Sequence, residues 1–280
     1  ALQMNLSNIT APAAGKSYFA WLLSDKASNP QQTMLLGELP VNHGNVHFLY
    51  QGNQNHTNLL GSTSRLLITE ESSGSLPKKP SLDQGTWRYY AELPQVPDDT
   101  GTGLRAIDIL RRLLYESLDQ QKVLHGGLDF YLLKDIQQVL QWANGSKDSW
   151  EKKDLATLRE HVISILDYLD SVFFVKQDVP CNLPLQVNST LDQIPLVNLQ
   201  GGQDNASYVD RMITQLTALD SQSGVTPEMT QRADQANADL SGNVETALKQ
   251  VRVYARQLAC MSNPQLQLPA TLTTVNACLL

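Results

Sequence analysis

Runs of basic residues are missing from this chain. Its 280 residues carry 28 acidic against 21 basic side chains, a formal charge of −7, with no cluster of Lys and Arg. That balance argues against nucleic acid or an anionic membrane as the main partner. Long apolar runs are missing too. The richest stretch, 162–175, is interrupted by Asp167 and Asp170 and falls short of the roughly 20 residues that a membrane helix needs, so no membrane span is expected. Cysteine is scarce: Cys181, Cys260 and Cys278 form neither CxxC nor CxxCH, which removes clustered metal and c-type haem sites. There is no Gly-x-Ser-x-Gly, no Gly-rich phosphate loop and no His-Glu-x-x-His. With no catalytic signature, the expectation is a protein that is not an enzyme and needs no cofactor or metal.

What is present is enough apolar material, 41% of residues, to build packed cores, in a length near twice that of a usual single domain. Two domains are therefore expected. The chain begins Ala-Leu-Gln, which matches the product of signal-peptide removal at a small-residue site. Asn-x-Ser/Thr sequons at Asn5, Asn8, Asn55, Asn144, Asn188 and Asn205 fit exposed loops of an extracellular or cell-surface glycoprotein. Three cysteines suggest one disulfide, with Cys181 and Cys260 as the candidate pair, and one spare thiol.

The first hundred residues have the period of β-structure. Leu2, Met4 and Leu6 alternate with Gln3, Asn5 and Ser7, so the start reads as a strand. A hinge of small residues, Ala11-Pro12-Ala13-Ala14-Gly15, follows it. Further strands are expected at 17–23, 34–39, 46–50, 64–69 and 86–93, separated by Asn, Gly, Pro and Ser. Short strands at this spacing predict a small antiparallel, immunoglobulin-like β-sandwich over 15–95, preceded by the strand and hinge of 1–14.

At 96–103 the composition turns to Pro, Asp, Thr and Gly, a linker, and beyond it the apolar period changes to that of helices. Leu104 to Leu118 and Leu128 to Ala143 carry two stripes, separated by Gly126-Gly127. A third helix is expected to open at Asp148-Ser149-Trp150-Glu151, a capping-box pattern. After a long Pro-, Gly- and Asn-rich loop at 178–204, helices follow at 206–219 and from Thr226-Pro227, where Thr suits an N-cap and Pro the first turn. A short segment ends the chain. Residues 104–280 thus predict an α-helical bundle of five or six helices.

The β-region carries Tyr18-Phe19-Ala20-Trp21-Leu22-Leu23, Leu35-Leu36-Gly37-Glu38-Leu39-Pro40-Val41, Leu66-Leu67-Ile68-Thr69-Glu70-Glu71 with Pro77 downstream, and a closing strand from Trp87. In this order and spacing it resembles the extracytoplasmic C-terminal domain of anti-sigma-K factors, over about residues 15–95. The 280 residues contain neither a zinc-binding sigma-binding segment nor a membrane helix, and the family's Pro/Gly loop is replaced by 72–80 with two lysines. The resemblance therefore implies an extracytoplasmic sandwich module, not sigma regulation. A fold of this kind does not fix a function.

Other candidates for chemistry are thin. His43 and His47, four apart, would share one side of a strand near His56, but nothing adjacent completes a coordination shell. His125 reads as a loop residue, and Glu160-His161 as a solvated helix face. Asp148, Asp154, Asp167 and Asp170 read as a cap and solvated positions, not as opposed catalytic carboxylates. Trp21, Trp87, Tyr89 and Tyr90 serve either as core or as sugar-stacking surface.

The most informative feature is the first strand. Leu2, Met4 and Leu6 form an apolar face joined through a small-residue hinge, so the strand completes either its own sandwich or a neighbour's. Donated, it would link copies head to tail into a homopolymer. The expectation is a non-enzymatic extracellular structural protein, a filament or surface-layer subunit. The alternative is a secreted or cell-surface binding module for envelope polysaccharide or a small ligand.

Overall fold

The computed structural model describes residues 2–55, 57–97, 103–118, 123–171, 174–179, 194–198 and 206–279. The chain contains both β-sheet and α-helix and divides into two compact units: Ala1–Arg111 with Gln222–Val225, and Arg112–Ser221 with Thr226–Leu280. Of the expected linker at 96–103, residues 98–102 lie outside the described residues.

The first unit begins with β1 (Leu2–Leu6), β2 (Lys16–Leu23), β3 (Thr33–Leu39), β4 (Val41–Asn42), β5 (Asn45–Tyr50), β6 (Arg65–Ser72) and β7 (Trp87–Glu92). They make two antiparallel sheets, a three-stranded one in the order β1-β5-β4 and a four-stranded one in the order β3-β2-β6-β7. β2 is buried on both faces, which explains its unbroken apolar sequence. Tyr18, Ala20 and Leu22 join Met4, Val46, Leu36 and Ile68 in one core drawn from both sheets. Phe19, Trp21 and Leu23 join Leu67 in a second core on the other side. There the buried indole N–H of Trp21 donates to Thr69 Oγ1 at 2.9 Å, as a polar group inside a core requires.

Pro40 decides how the two sheets are joined. It follows β3 of the four-stranded sheet, lacks the N–H that would continue the ladder, and leads directly into β4 of the three-stranded sheet. One stretch of chain therefore closes this side of the unit. Close approach is helped by Gly37, at φ 151°, where a Cβ would sit 3.2 Å from the Phe48 ring. The β4–β5 turn has His43 at φ 51° and Gly44 at φ 76°, the two left-handed positions of a tight hairpin. His43 is thus a turn residue, not a strand residue, and does not share a strand face with His47.

In the second unit, α2 (Leu128–Glu151) and α3 (Leu155–Asp170) form the principal helical hairpin. The expected break at 148–151 is not there. α2 runs through it, Lys153 takes φ 60°, and Asp154 caps α3 by accepting from the Thr157 N–H at 3.1 Å. α1 (Ala106–Leu114) precedes them, its first residues to Arg111 belonging to the first unit, and β8 (Ser117–Leu118) pairs with β9 (Val123–Leu124) before α2. α4 (Val175–Asp178) follows α3, and α5 (Tyr208–Asp220) opens with a Ser207–Asp210 capping box. α6 (Pro227–Asp239) has the Thr226 N-cap and Pro at its first turn. It continues through one π-helical turn, Leu240–Val244, into α7 (Glu245–Cys260), and the short α8 (Asn263–Leu266) and α9 (Thr271–Ala277) complete the described helices. No helix among the described residues is long and apolar enough to cross a membrane.

Candidate functional site

β1 is the outer strand of the three-stranded sheet. Leu2 lies opposite Tyr50, Met4 opposite Phe48 and Leu6 opposite Val46. Met4 is buried at 7% exposure, Leu2 and Leu6 are half-buried against the inter-sheet core, and Gln3 and Asn5 face out. Within the chain, therefore, the strand expected for assembly completes its own unit. Among the described residues its only ladder partner is β5, and Asn5 Oδ1 lies 3.1 Å from His47 Nδ1 across that ladder.

Beyond β1 the chain is held at separate points. Buried Ile9 donates its N–H to Gly44 O at 2.9 Å. Thr10 O accepts from the Tyr18 hydroxyl at 3.0 Å, and the Ala13 N–H donates to Glu70 Oε1 at 2.6 Å. Glu70 Oε2 also accepts from Arg88, through Nε at 3.0 Å and through Nη2. The Ala13 N–H and, next, the Arg88 guanidinium hold the Glu70 carboxyl below the ordinary glutamate value.

The side of the unit away from Pro40 is open. There β1 ends one sheet and β7 the other. Tyr89 and Ala91 of β7 lie opposite Ile68 and Leu66, so they face inward with them, yet both are exposed. A cleft of about 660 Å³ lies on this side, lined mainly by Leu2, Leu22, Leu59, Leu60, Leu66 and Leu93. The two edges are guarded differently. β7 carries Arg88, paired with Glu70, and Glu92, paired with Lys26 at 2.7 Å. β1 has no charged residue, and charge on an edge is one of the means by which proteins prevent unplanned strand pairing.

Elsewhere, the side chains singled out in the sequence do not converge. Trp21 is core, Trp87 is half-buried with its indole donating to Ser81 O at 2.9 Å, and Tyr89 and Tyr90 are exposed. His125 is exposed beside Glu116, and His56 lies outside the described residues. Among the described residues no group of His, Cys, Asp and Glu could hold a metal ion. Asp167 and Asp170 correct the solvated reading: both are buried at 1% exposure, as is Asp135 of α2, and Asp170 Oδ1 accepts from Arg252 Nε at 2.5 Å. Asp148, expected as a helix cap, is an exposed residue inside α2, and Asp154 is the cap. Cys260 is disulfide-bonded and Cys278 is a free, buried thiol; Cys181 lies outside the described residues. Asn5, Asn8, Asn55 and Asn144 are exposed, but Asn5 lies in β1 and Asn144 inside α2, not in the loops expected, while Asn188 and Asn205 lie outside the described residues. Sequence reasoning missed Glu70, Tyr18 and the cleft. β6 carries Glu70 and Glu71 side by side, and nothing in the sequence tells the buried one from its neighbour.

No family model, no curated protein and no solved structure matches this chain.

Proposed function

We propose that this is a non-enzymatic structural subunit of an extracellular or cell-surface assembly, an immunoglobulin-like sandwich followed by a helical bundle, whose copies join by exchanging the N-terminal strand. One observation carries the reading: β1 is an uncharged edge strand held by a single ladder to β5, on a connection of small residues. Every contact it makes to its own body, Met4 in the core and Ile9 on Gly44 included, can be made identically to the body of a second copy. Exchange therefore keeps the native pairing and leaves only the opening step as a barrier. The exposed sequons and the disulfide-bonded Cys260 support an oxidising, extracytoplasmic setting, as does the resemblance to the extracytoplasmic domain of anti-sigma-K factors.

The test compares the whole chain with a variant lacking residues 1–10, by light scattering and electron microscopy across concentration. The expected result is a concentration-dependent oligomer or fibre for the parent and a folded monomer for the truncated chain. A truncated chain that assembles like the parent, or a parent that stays at 31.0 kDa at every concentration, overturns the reading.

The cleft favours a second reading, a binding module. Its volume and mostly apolar wall fit a small apolar ligand better than a polysaccharide. A ligand panel read by melting temperature tests it, and silence across a broad panel of apolar compounds sinks it.

A further inference from the structure

We propose that Glu70 is a latch that keeps the N-terminal arm closed and makes residues 10–13 the hinge on which it opens; the inference rests on the exchange reading and names its regulation. The arm is the segment whose contacts leave with β1, and its last such contact is the Ile9 N–H on Gly44 O at 2.9 Å. On the body side, Lys16 N–H binds Ala13 O and Ser73 N–H binds Gly15 O, each at 2.9 Å, fixing the start of β2. Between these limits the main chain is held at two places, by the Tyr18 hydroxyl on Thr10 O and by Glu70 on the Ala13 N–H.

The Glu70 contact is the stronger of the two, because an ionised carboxylate makes a shorter and stronger hydrogen bond than a neutral hydroxyl. It also bridges arm and body: one oxygen holds the hinge and the other is ion-paired to Arg88 of β7. Removing the carboxylate frees the hinge while Arg88, 38% exposed, turns to water. The charged and titratable groups facing Glu70 are Arg88 from β7 and Lys16 and Tyr18 from β2. Arg88 and Lys16 favour the ionised carboxylate. Burial first, then Glu70 itself, push the Tyr18 hydroxyl up, so it stays a donor.

The pH dependence follows. Glu70 titrates below 4.5, its ordinary value. The latch is at full strength above that value and is lost as pH falls through the lower, folded one. The arm is thus closed at neutral pH and loosens only in acid.

Hydrogen exchange of Leu2–Leu6 in the whole chain, normalised to the intrinsic rate at each pH and read by mass spectrometry, measures arm opening in the monomer. Glu70→Ala is expected to raise opening at pH 7 about tenfold or more, the effect of losing a charged hydrogen bond, with β2 and β6 unchanged. Glu70→Gln keeps an acceptor for Ala13 and is expected to give a smaller rise that no longer depends on acid. Tyr18→Phe, which removes only the hydroxyl, is expected to give the smallest. Parent-like opening in Glu70→Ala, or an undiminished acid response in Glu70→Gln, overturns the latch. Light scattering on the same samples separates the two ideas: faster opening without association sinks exchange and leaves the latch standing.

Discussion

If β1 is an integral part of the inter-sheet core, truncating its side chains must produce an alternating pattern of cost. Met4 is 7% exposed among Tyr18, Ala20, Leu22 and Ile68, and Met4→Ala on an edge strand should cost about 2–3 kcal/mol, the lower part of the range of about 2–5 kcal/mol for a buried side chain cut to Ala. Leu2 and Leu6 are half-buried, so Leu2→Ala and Leu6→Ala should cost about 1 kcal/mol each, in proportion to the area they cover. Gln3→Ala and Asn5→Ala, on the exposed face, should stay within about 0.5 kcal/mol of the parent. Together the three apolar residues contribute about 4–5 kcal/mol, so these side chains alone hold the open arm to one molecule in about a thousand or fewer, before the ladder to β5 and the Glu70 contact are counted. With two units in the chain, a single unfolding transition is not assured. Exchange protection at β2 and β5 is the better assay, because it reports the first unit alone. A flat profile along residues 2–6, or a Met4→Ala cost under about 0.5 kcal/mol, would show that the arm is not packed and would remove the observation on which exchange rests.

Three further outcomes are expected. Arg111 binds Asp25 through two 2.8 Å hydrogen bonds, and this contact holds the Asp25 carboxyl well below 3.8, at about 2. Because its folded pKa is depressed, the stabilisation is complete above about pH 4 and is lost as pH falls toward 2. Asp25→Asn should cost about 1–2 kcal/mol at pH 7, reduced from the full shift because the pair is partly solvated, and should flatten the first unit's acid stability profile between those limits; an unchanged profile refutes the assignment. Asn5→Lys places a charge on the exposed face of the unguarded edge. It should leave exchange intact, since residue 5 faces out whichever body holds β1, whereas loss of association would show that copies add edge to edge. Burial pushes the Cys278 thiol up to about 12, so it should resist a thiol reagent at pH 8 in the native chain and react when urea is added; ready native labelling refutes its burial.

Much of this architecture was legible in the sequence. The strand pattern placed β1, β2, β3, β5 and β7 to within a residue and β6 with its end three residues short, and Thr226-Pro227 marked a real helix start. The failures share a cause, which is that they depend on partners far along the chain or on backbone angles. Asp148-Ser149-Trp150-Glu151 looks like a cap, but Asp154 is the cap because Lys153 adopts the left-handed turn that ends α2. Asp170 looks solvated until Arg252, 82 residues away, is brought beside it. The Glu70 contact to Ala13 spans 57 residues and ends on the main chain, so no side-chain pattern could announce it. The cleft is still less visible. It arises because one sheet ends at β1 while the other continues to β7.

That mismatch connects the two functional readings. Pro40 closes one side of the first unit, so the unguarded edge of β1 and the apolar cleft share the other side, while the hinge crosses the strand ends beside the β4–β5 turn, where Ile9 meets Gly44. Leu2 belongs at once to β1 and to the cleft wall. A ligand in the cleft touches Leu2 equally whether that residue comes from its own chain or from a second copy, so it does not favour one of these states over the other. It loses that contact only in the opened intermediate. A cleft ligand must then slow exchange without changing the final balance between monomer and assembly. The Glu70 latch acts on the same barrier, holding the main chain where the arm meets the body. On the exchange reading the sheets supply interchangeable closed states, and control would lie in how rarely the arm between them comes free.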